Sequence, residues 1–319
     1  MKISSVLGPD GLIARRLAGY EHRPQQLEMA EAVRHAFADG HHLVVEAGTG
    51  VGKSFAYLVP AIEQVLSHRR RVVISTHTIT LQEQLINKDL PFLNAVIPDE
   101  FTAVLVKGRN NYLDLRRLEK ASQRQELLFA DTRQRQELWR IEEWAYRTQD
   151  GSLSDISPQP LPEVWERVRS DYGNCMSRRC PHYGRCFFQR ARRRAVHADI
   201  LVVNHSLLMS DLALRRADLS ILPNYELVVL DEAHTLEQVA REHFGLRISS
   251  LSVPFLLNAL YSDRTGKGLL TACQATEAIE AVNEARRVAV RFFDRLLQWH
   301  RESGRPNGRL TQPNPVPNT

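Results

Sequence analysis

The run Ala47-Gly48-Thr49-Gly50-Val51-Gly52-Lys53-Ser54 has the residue types needed to hold a nucleoside triphosphate. Glycines leave the backbone free to curl its N–H groups around phosphate oxygens with no Cβ in the way. Lys53 is placed to reach the β- and γ-phosphates, and the Ser54 hydroxyl to bind Mg²⁺. The run departs from the strict pattern only at Ala47, a small residue in place of the first glycine. Far downstream, Leu227-Val228-Val229-Leu230 leads directly into Asp231-Glu232-Ala233-His234. An apolar strand ending in acid is the metal-binding complement of such a loop. Asp231 would hold Mg²⁺, directly or through water, and Glu232 would orient and deprotonate an attacking water. Taken alone, Asp231 reads equally as a cap for the helix that follows. The phosphate loop upstream turns the balance toward chemistry.

A second set of candidates lies between these two. The chain has four cysteines, and Cys175, Cys180 and Cys186 cluster in one short segment. The start, MKISSVLGPDGLIARRL, has too short and interrupted an apolar run for a secretory signal. A cytoplasmic, reducing setting is therefore expected, where such a cluster points to a metal site rather than to disulfides. Three thiols are one short of a four-thiolate site. Two residues compete for the fourth place. His182, inside the cluster, gives a Cys₃His set suited to zinc. Asp114 gives a carboxylate that can ligate iron, or it simply caps the helix LRRLEKA. Cys273 stands apart and reads as a small packed thiol. Arg185, Arg190, Arg192, Arg193 and Arg194, interleaved with Tyr183, Phe187 and Phe188, suit a groove that tracks phosphates and stacks bases. The competing reading is a solvated helix face with the aromatics turned inward.

The elements that must position these residues follow from periodicity. A helix is expected over residues 25–39, with Leu27, Ala30, Val33 and Phe37 on one face. His42–Val45 reads as a short buried strand entering the glycine-rich turn, and residues 54–67 as the helix leaving it. Arg71–Ser75 and Ala103–Lys107 read as further strands, with a helix from Thr80 to Asn87. Ala198–Val203 and Glu226–Leu230 read as central strands of a parallel sheet. Residues 109–197, rich in Arg, Glu and Gln, interrupt this alternation and read as a mostly helical insertion. From about residue 250 the pattern is helical again, with Ile279, Val282, Ala289, Phe292, Leu296 and Trp299 in one stripe. Gly304–Thr319 is Pro/Asn/Gly-rich and expected to be disordered. The 319 residues are 43% hydrophobic and 25% charged, an ordinary globular composition with no apolar run long enough for a membrane span. The formal charge of +5 is compatible with a polyanionic partner but equally with an arginine-rich surface.

Together, AGTGVGKS, STHTITLQEQL (75–85), KGRNNYL (107–113), the cysteine spacing, ADILVVNHSLL and LDEAH occur in the order found in the DinG/XPD iron–sulfur helicases, and the chain resembles that family over roughly residues 20–245. The segment Tyr20–Gln26 looks like the family's adenine-contacting motif, which assigns Arg23 and Gln26 to the nucleotide. The resemblance implies an α/β fold: a P-loop (RecA-like) parallel sheet with helices on both faces, a helical cysteine-bearing insertion and a helical C-terminal segment. It divides the chain into an ATP-binding lobe (1–107 and 198–245), an inserted iron–sulfur-type domain (108–197), the start of a helical arch (246–303) and a disordered tail (304–319). It implies an ATP- and Mg²⁺-dependent motor moving 5′ to 3′ on single-stranded DNA and acting at junctions, with a role in DNA repair. It further implies a [4Fe–4S] cluster on Cys175, Cys180 and Cys186, Thr76 and its neighbours on the DNA backbone, and His234 as a link between nucleotide and DNA. Asp114 stands where the family has its leading cysteine. Such motors also need a second lobe carrying an arginine finger, and the residues after His234 are too few for one of about 150 residues. The expected activity is thus that of a helicase lobe completed in a longer chain or in trans. The alternatives are a non-motor ATP- and DNA-binding module and a zinc-stabilised P-loop ATPase.

Overall fold

The computed structural model describes residues 2–48, 50–129, 131–245, 248–272, 275–303, 308 and 315–316. Thr49, Cys273 and nearly all of the tail lie outside them, as do the readings made for those residues.

Four parallel strands form the centre: β1 (Val72–Thr76), β2 (Ala103–Leu105), β3 (Ile200–Asn204) and β4 (Leu227–Leu230), in the order β2-β3-β1-β4. The registers align Val72 with Ile200 and with Leu227, so the ends of β1, β3 and β4 come level where the chain turns toward the acidic pair. Side chains alternate between two faces, as strand geometry requires. Val72, Ile74, Ile200 and Val202 join a core with the helices Pro24–Asp39 and Lys53–His68. Val73, Leu201 and Val203 face the opposite way, against the helices His205–Arg215 and Leu236–Phe244. Both faces are covered, which is why β1 and β3 read as unbroken apolar runs.

Residues 112–191 bury a core of their own, built from Tyr112, Leu113, Phe129, Leu138, Ile141, Val164, Val168 and Phe187. It is assembled by the helices Leu115–Gln123, Thr132–Arg147, Pro162–Val168 and Phe187–His197. Lys107, at the exit of β2, ties this segment down through its ammonium, which donates to Ser152 Oγ (2.7 Å) and pairs with Asp150 (3.4 Å). Residues 245–319 form a separate compact unit. In it the helix Thr276–Ser303 packs on Ser252–Leu260, with Leu257 and Val282 buried and the expected stripe half-covered. Among the described residues no helix is long and apolar enough to cross a membrane.

Two expectations fail. His42–Val45 is not a strand: it pairs with nothing among the described residues, and Val44 is 96% exposed. A four-residue apolar run says only that a strand is possible; pairing with a neighbour decides it. The strand expected over Ala103–Lys107 is shorter, ending at Leu105, although Val106 N–H still donates to Val202 (2.8 Å).

Candidate nucleotide site and cysteine pocket

The phosphate loop lies open ahead of the helix Lys53–His68. Gly48 and Gly50 are exposed, and Ala47, Val51, Gly52, Lys53 and Ser54 are half-buried. Gly50 and Gly52 take φ values of +87° and +83°, a left-handed backbone that favours glycine. Gly52 has a second reason: a Cβ there would sit 2.1 Å from Gln26 Nε2. Gln26 is buried and donates to the Gly52 carbonyl at 2.9 Å, while its own carbonyl accepts from Tyr20 (3.3 Å). Arg23 donates to the Gly50 carbonyl and pairs with Glu21. The two residues assigned to the nucleotide base therefore brace the loop from behind.

The helix Lys53–His68 begins with Gly52 as its N-cap, so its first free N–H groups point into the loop. Across from it, β4 ends at Asp231, whose N–H donates to Ser75 (2.8 Å). Glu232 then turns in a left-handed conformation (φ +55°), uncommon for a non-glycine residue. These turns bring the two segments together. Lys53 Nζ lies 3.3 Å from Glu232 Oε1, across 179 positions of sequence. Tyr57 donates to Asp231 Oδ2 at 3.2 Å. Burial pushes the Asp231 carboxyl above the usual range and Glu232 adds to that, while the Tyr57 hydroxyl and Lys53 pull it back. A half-buried carboxylate with an elevated pKa beside a second acid is short of positive charge, which Mg²⁺ would supply. His234 is largely exposed and only its Nδ1 approaches Glu232, at 3.5 Å.

The cysteine pocket sits in the inserted segment. Cys175, Cys180 and Cys186 are free thiols, and all three line one cavity with Asp114, His182 and Gln189. Burial raises the Cys186 thiol and the charges of Asp114 and Cys175 raise it further. Cys175 goes the other way: burial pushes it up, but the Ser177 amide and the Arg109 guanidinium outweigh this and hold it below the ordinary thiol. Asp114 serves as the N-cap of Leu115–Gln123, its Oδ1 accepting from Arg117 N–H (3.0 Å). His182 is engaged elsewhere, its Nε2 2.9 Å from Glu119. Among the described residues no three of these side chains converge closely enough to hold a single ion. Three thiols and a carboxylate around one cavity are donor types that an iron–sulfur cluster or a zinc ion takes.

The arginine-rich helix divides its residues cleanly. Phe187 is buried in the segment's core, so its aromatic ring serves packing. Arg185, Arg190, Arg192 and Arg193 are exposed and make no ion pair among the described residues; Arg194 pairs with Asp150 (3.2 Å). Arg109 stacks over Phe188, 3.9 Å from its centroid, and 5.9 Å from that of exposed Tyr172. Thr76 does not present a contact surface: it is wholly buried in β1, whereas His77, Thr78 and Ile79 are exposed. A central strand flanked on both sides has no solvent face to offer.

Residues 23–137 match the DEAD/DEAH box helicase family and residues 169–253 the DEAD_2 family. The chain is 37% identical over 246 residues to the ATP-dependent DNA helicase YoaA of Escherichia coli, covering 76% of this chain and 37% of that protein. It is 42% identical over 236 residues to the ATP-dependent helicase DinG of Mycobacterium tuberculosis, covering 69% of this chain and 35% of that one. Over the matched residues this chain is similar to DinG-like DEAD/DEAH-box helicases. A Bacillus subtilis relative, 30% identical over 247 residues, bears the name 3′-5′ exonuclease DinG, and 26% of it is covered. The chain thus spans little more than a third of the length of these two helicases.

Three polar residues at the candidate nucleotide site escaped the sequence reading. Tyr57 touches Asp231; it lies on the buried side of the helix after the loop, and aromatic content there reads as core. Asp89 is buried close to Ser54, and burial raises its pKa. His205 is 1% exposed and its Nδ1 lies 2.7 Å from Ser75 Oγ. Burial lowers its pKa, offset in part by the backbone of Asp231 and Glu232, which lie close to the ring. The segment NHSLL carried that histidine in plain view, but a lone histidine at a strand end gives no signal of what it will meet.

Proposed function

We propose that this chain is the ATP-binding lobe of an ATP-dependent DNA helicase, residues 1–107 and 198–245 forming the nucleotide site and 108–197 the insertion. Residues 246–303 would open a helical arch. The observation that carries this reading is the approach of Lys53 to Glu232, 3.3 Å apart from opposite ends of the lobe. An ammonium already neutralising the catalytic carboxylate is poised to exchange that partner for the β- and γ-phosphates of ATP. Glu232 is then released to orient the attacking water and take its proton. Ser54 and Asp231 hold Mg²⁺, and the loop amides at residues 48–54 cradle the phosphates. Arg23 and Gln26 brace the loop from behind, and contact with the adenine is what the resemblance implies for them. Turnover needs an arginine finger from a second lobe, in a longer chain or in trans, and single-stranded DNA or a junction as the track. Polarity 5′ to 3′ and a role in DNA repair rest on the resemblance.

Cys175, Cys180 and Cys186 would hold a [4Fe–4S] cluster in the insertion. When bound, such a cluster supplies a one-electron redox centre and pins the segment that carries it. The exposed arginines of Phe187–His197 and the Arg109–Phe188 stack suit a phosphate backbone with its bases unstacked beside it.

The test has two stages. Fluorescent ATP analogue should bind the chain in the presence of Mg²⁺ and be lost in K53A. ATP turnover should then rise with single-stranded DNA once the second lobe is added. Binding without any DNA-stimulated turnover in the completed assembly would leave a non-motor ATP- and DNA-binding module.

A further inference from the structure

We propose that Asp114 is the fourth ligand of the cluster held by Cys175, Cys180 and Cys186, and that its oxygen bond makes one iron exchangeable, so that the site passes reversibly between four-iron and three-iron forms. This rests on the cluster reading above and deepens it.

The placement of Asp114 is built into the fold. Tyr112–Asp114 pairs antiparallel with residues 168–170: Ser170 N–H donates to Tyr112 (2.7 Å), Asp114 N–H to Val168 (2.9 Å), and Leu113 bridges Arg169. Tyr112 and Leu113 on this rung are buried, so the backbone under the carboxylate is fixed. The chain runs on from Ser170 to Cys175, which brings Asp114 to the cavity that the three cysteines line. Its Oδ1 caps the helix Leu115–Gln123 through Arg117 N–H, and Oδ2 takes no hydrogen bond among the described residues. The same residue can keep its cap and offer its second oxygen to iron. His182 lines the cavity too, but its ring is turned to Glu119.

The chemistry follows from donor type. Thiolates bind thiophilic iron firmly, whereas a carboxylate oxygen is the hardest donor of the set and the weakest bond to a soft site. Iron lost from a cubane leaves first from that corner. The balance is [4Fe–4S]²⁺ → [3Fe–4S]⁺ + Fe²⁺ + e⁻, the electron passing to a one-electron oxidant such as ferricyanide. The three thiolates stay bound, and Asp114 retains its helix-capping bond. Ferrous iron with a reductant reverses the step.

The experiment reconstitutes the whole chain anaerobically with ferrous iron and sulfide. It then titrates with ferricyanide, counting released iron and recording the paramagnetic signal of the three-iron cluster. The wild type should release one iron per cluster, gain that signal, and lose it again when ferrous iron and dithionite are added. D114C, with a fourth thiolate, should keep all four irons under the same oxidant. D114N retains a side-chain oxygen for the helix cap and should hold three irons from the outset; circular dichroism checks that it stays folded. A wild type as resistant as D114C overturns the proposal, as does an H182A variant that holds three irons from the outset while D114N behaves as wild type. If D114C takes up a four-iron cluster and the wild type none, Asp114 is not a ligand but the pocket stands. If neither takes up iron and sulfide, the cluster reading falls and this inference with it.

Discussion

The nucleotide site and the cysteine pocket hold their charges in opposite ways. At the first, contacts from within the chain hold the groups in place: Lys53 faces Glu232, Tyr57 donates to Asp231, and Arg23 and Gln26 hold the loop carbonyls. At the second, three free thiols and one carboxylate oxygen surround a cavity with few partners of their own. On the proposed function the first would exchange ligands during turnover, with internal substitutes filling it in between. On the cluster reading the second would be built around a resident group, its donors gathered about one cavity.

The comparison can be broken most directly at Lys53. K53A removes both the phosphate contact and the partner of Glu232, and ATP hydrolysis by the completed assembly should fall by on the order of 10²–10³-fold. Unchanged turnover in a steady-state assay would remove the site. E232Q keeps the shape and sharpens the division of roles: Mg²⁺-dependent ATP binding should survive in a fluorescence titration, while hydrolysis drops by about 10²–10⁴-fold. The independence of the two regions is tested in the insertion's own core. Leu138, fully buried there, should cost about 2–5 kcal/mol when cut to alanine. Limited proteolysis should then open the 108–197 segment while ATP binding persists; loss of both together would mean one cooperative unit. A smaller effect is expected at Tyr57. Y57F removes the hydroxyl from Asp231 and should weaken Mg²⁺–nucleotide binding by about 0.5–1.5 kcal/mol in calorimetry.

The smallest is a pH effect at the joint between lobe and insertion. Asp150 is pushed up by burial, but Ser152, Lys107 and Arg194 outweigh that and depress its pKa. A depressed carboxyl stabilises the fold above its unfolded pKa and loses that contribution as pH falls through the folded value. Acid melting of the wild type should therefore include a component at pH below the usual aspartate range, and D150N should lack it. An identical acid profile in the two proteins would show that this cluster adds nothing to stability.

Much of this was legible in the sequence, residue by residue. The helix expected over residues 25–39 spans Pro24–Asp39, and the one expected over 54–67 spans Lys53–His68, because both carry apolar residues at helical spacing. The strands around Arg71–Ser75, Ala198–Val203 and Glu226–Leu230 were equally visible, two of them being covered on both faces. His42–Val45 carries the same apolar signal without the neighbour that would make it a strand. Thr76, Tyr57, Asp89 and His205 mark the other limit, since their surroundings come from segments more than a hundred positions away or from the far side of the loop.

By itself, the sequence determined the chemistry available: a loop of glycines ahead of Lys53 and Ser54, an acidic pair after an apolar run, and three thiols in one segment. Backbone freedom, charge and thiol affinity are properties of residue type, and they survive any arrangement. Only the tertiary structure decided which of these groups meet. Lys53 finds Glu232 because β1 and β4 run parallel in fixed register, and Asp114 reaches the cysteines because Tyr112–Asp114 pairs with residues 168–170. Distance through space is set by hydrogen-bonded pairing and buried packing between remote segments, and no local pattern encodes it.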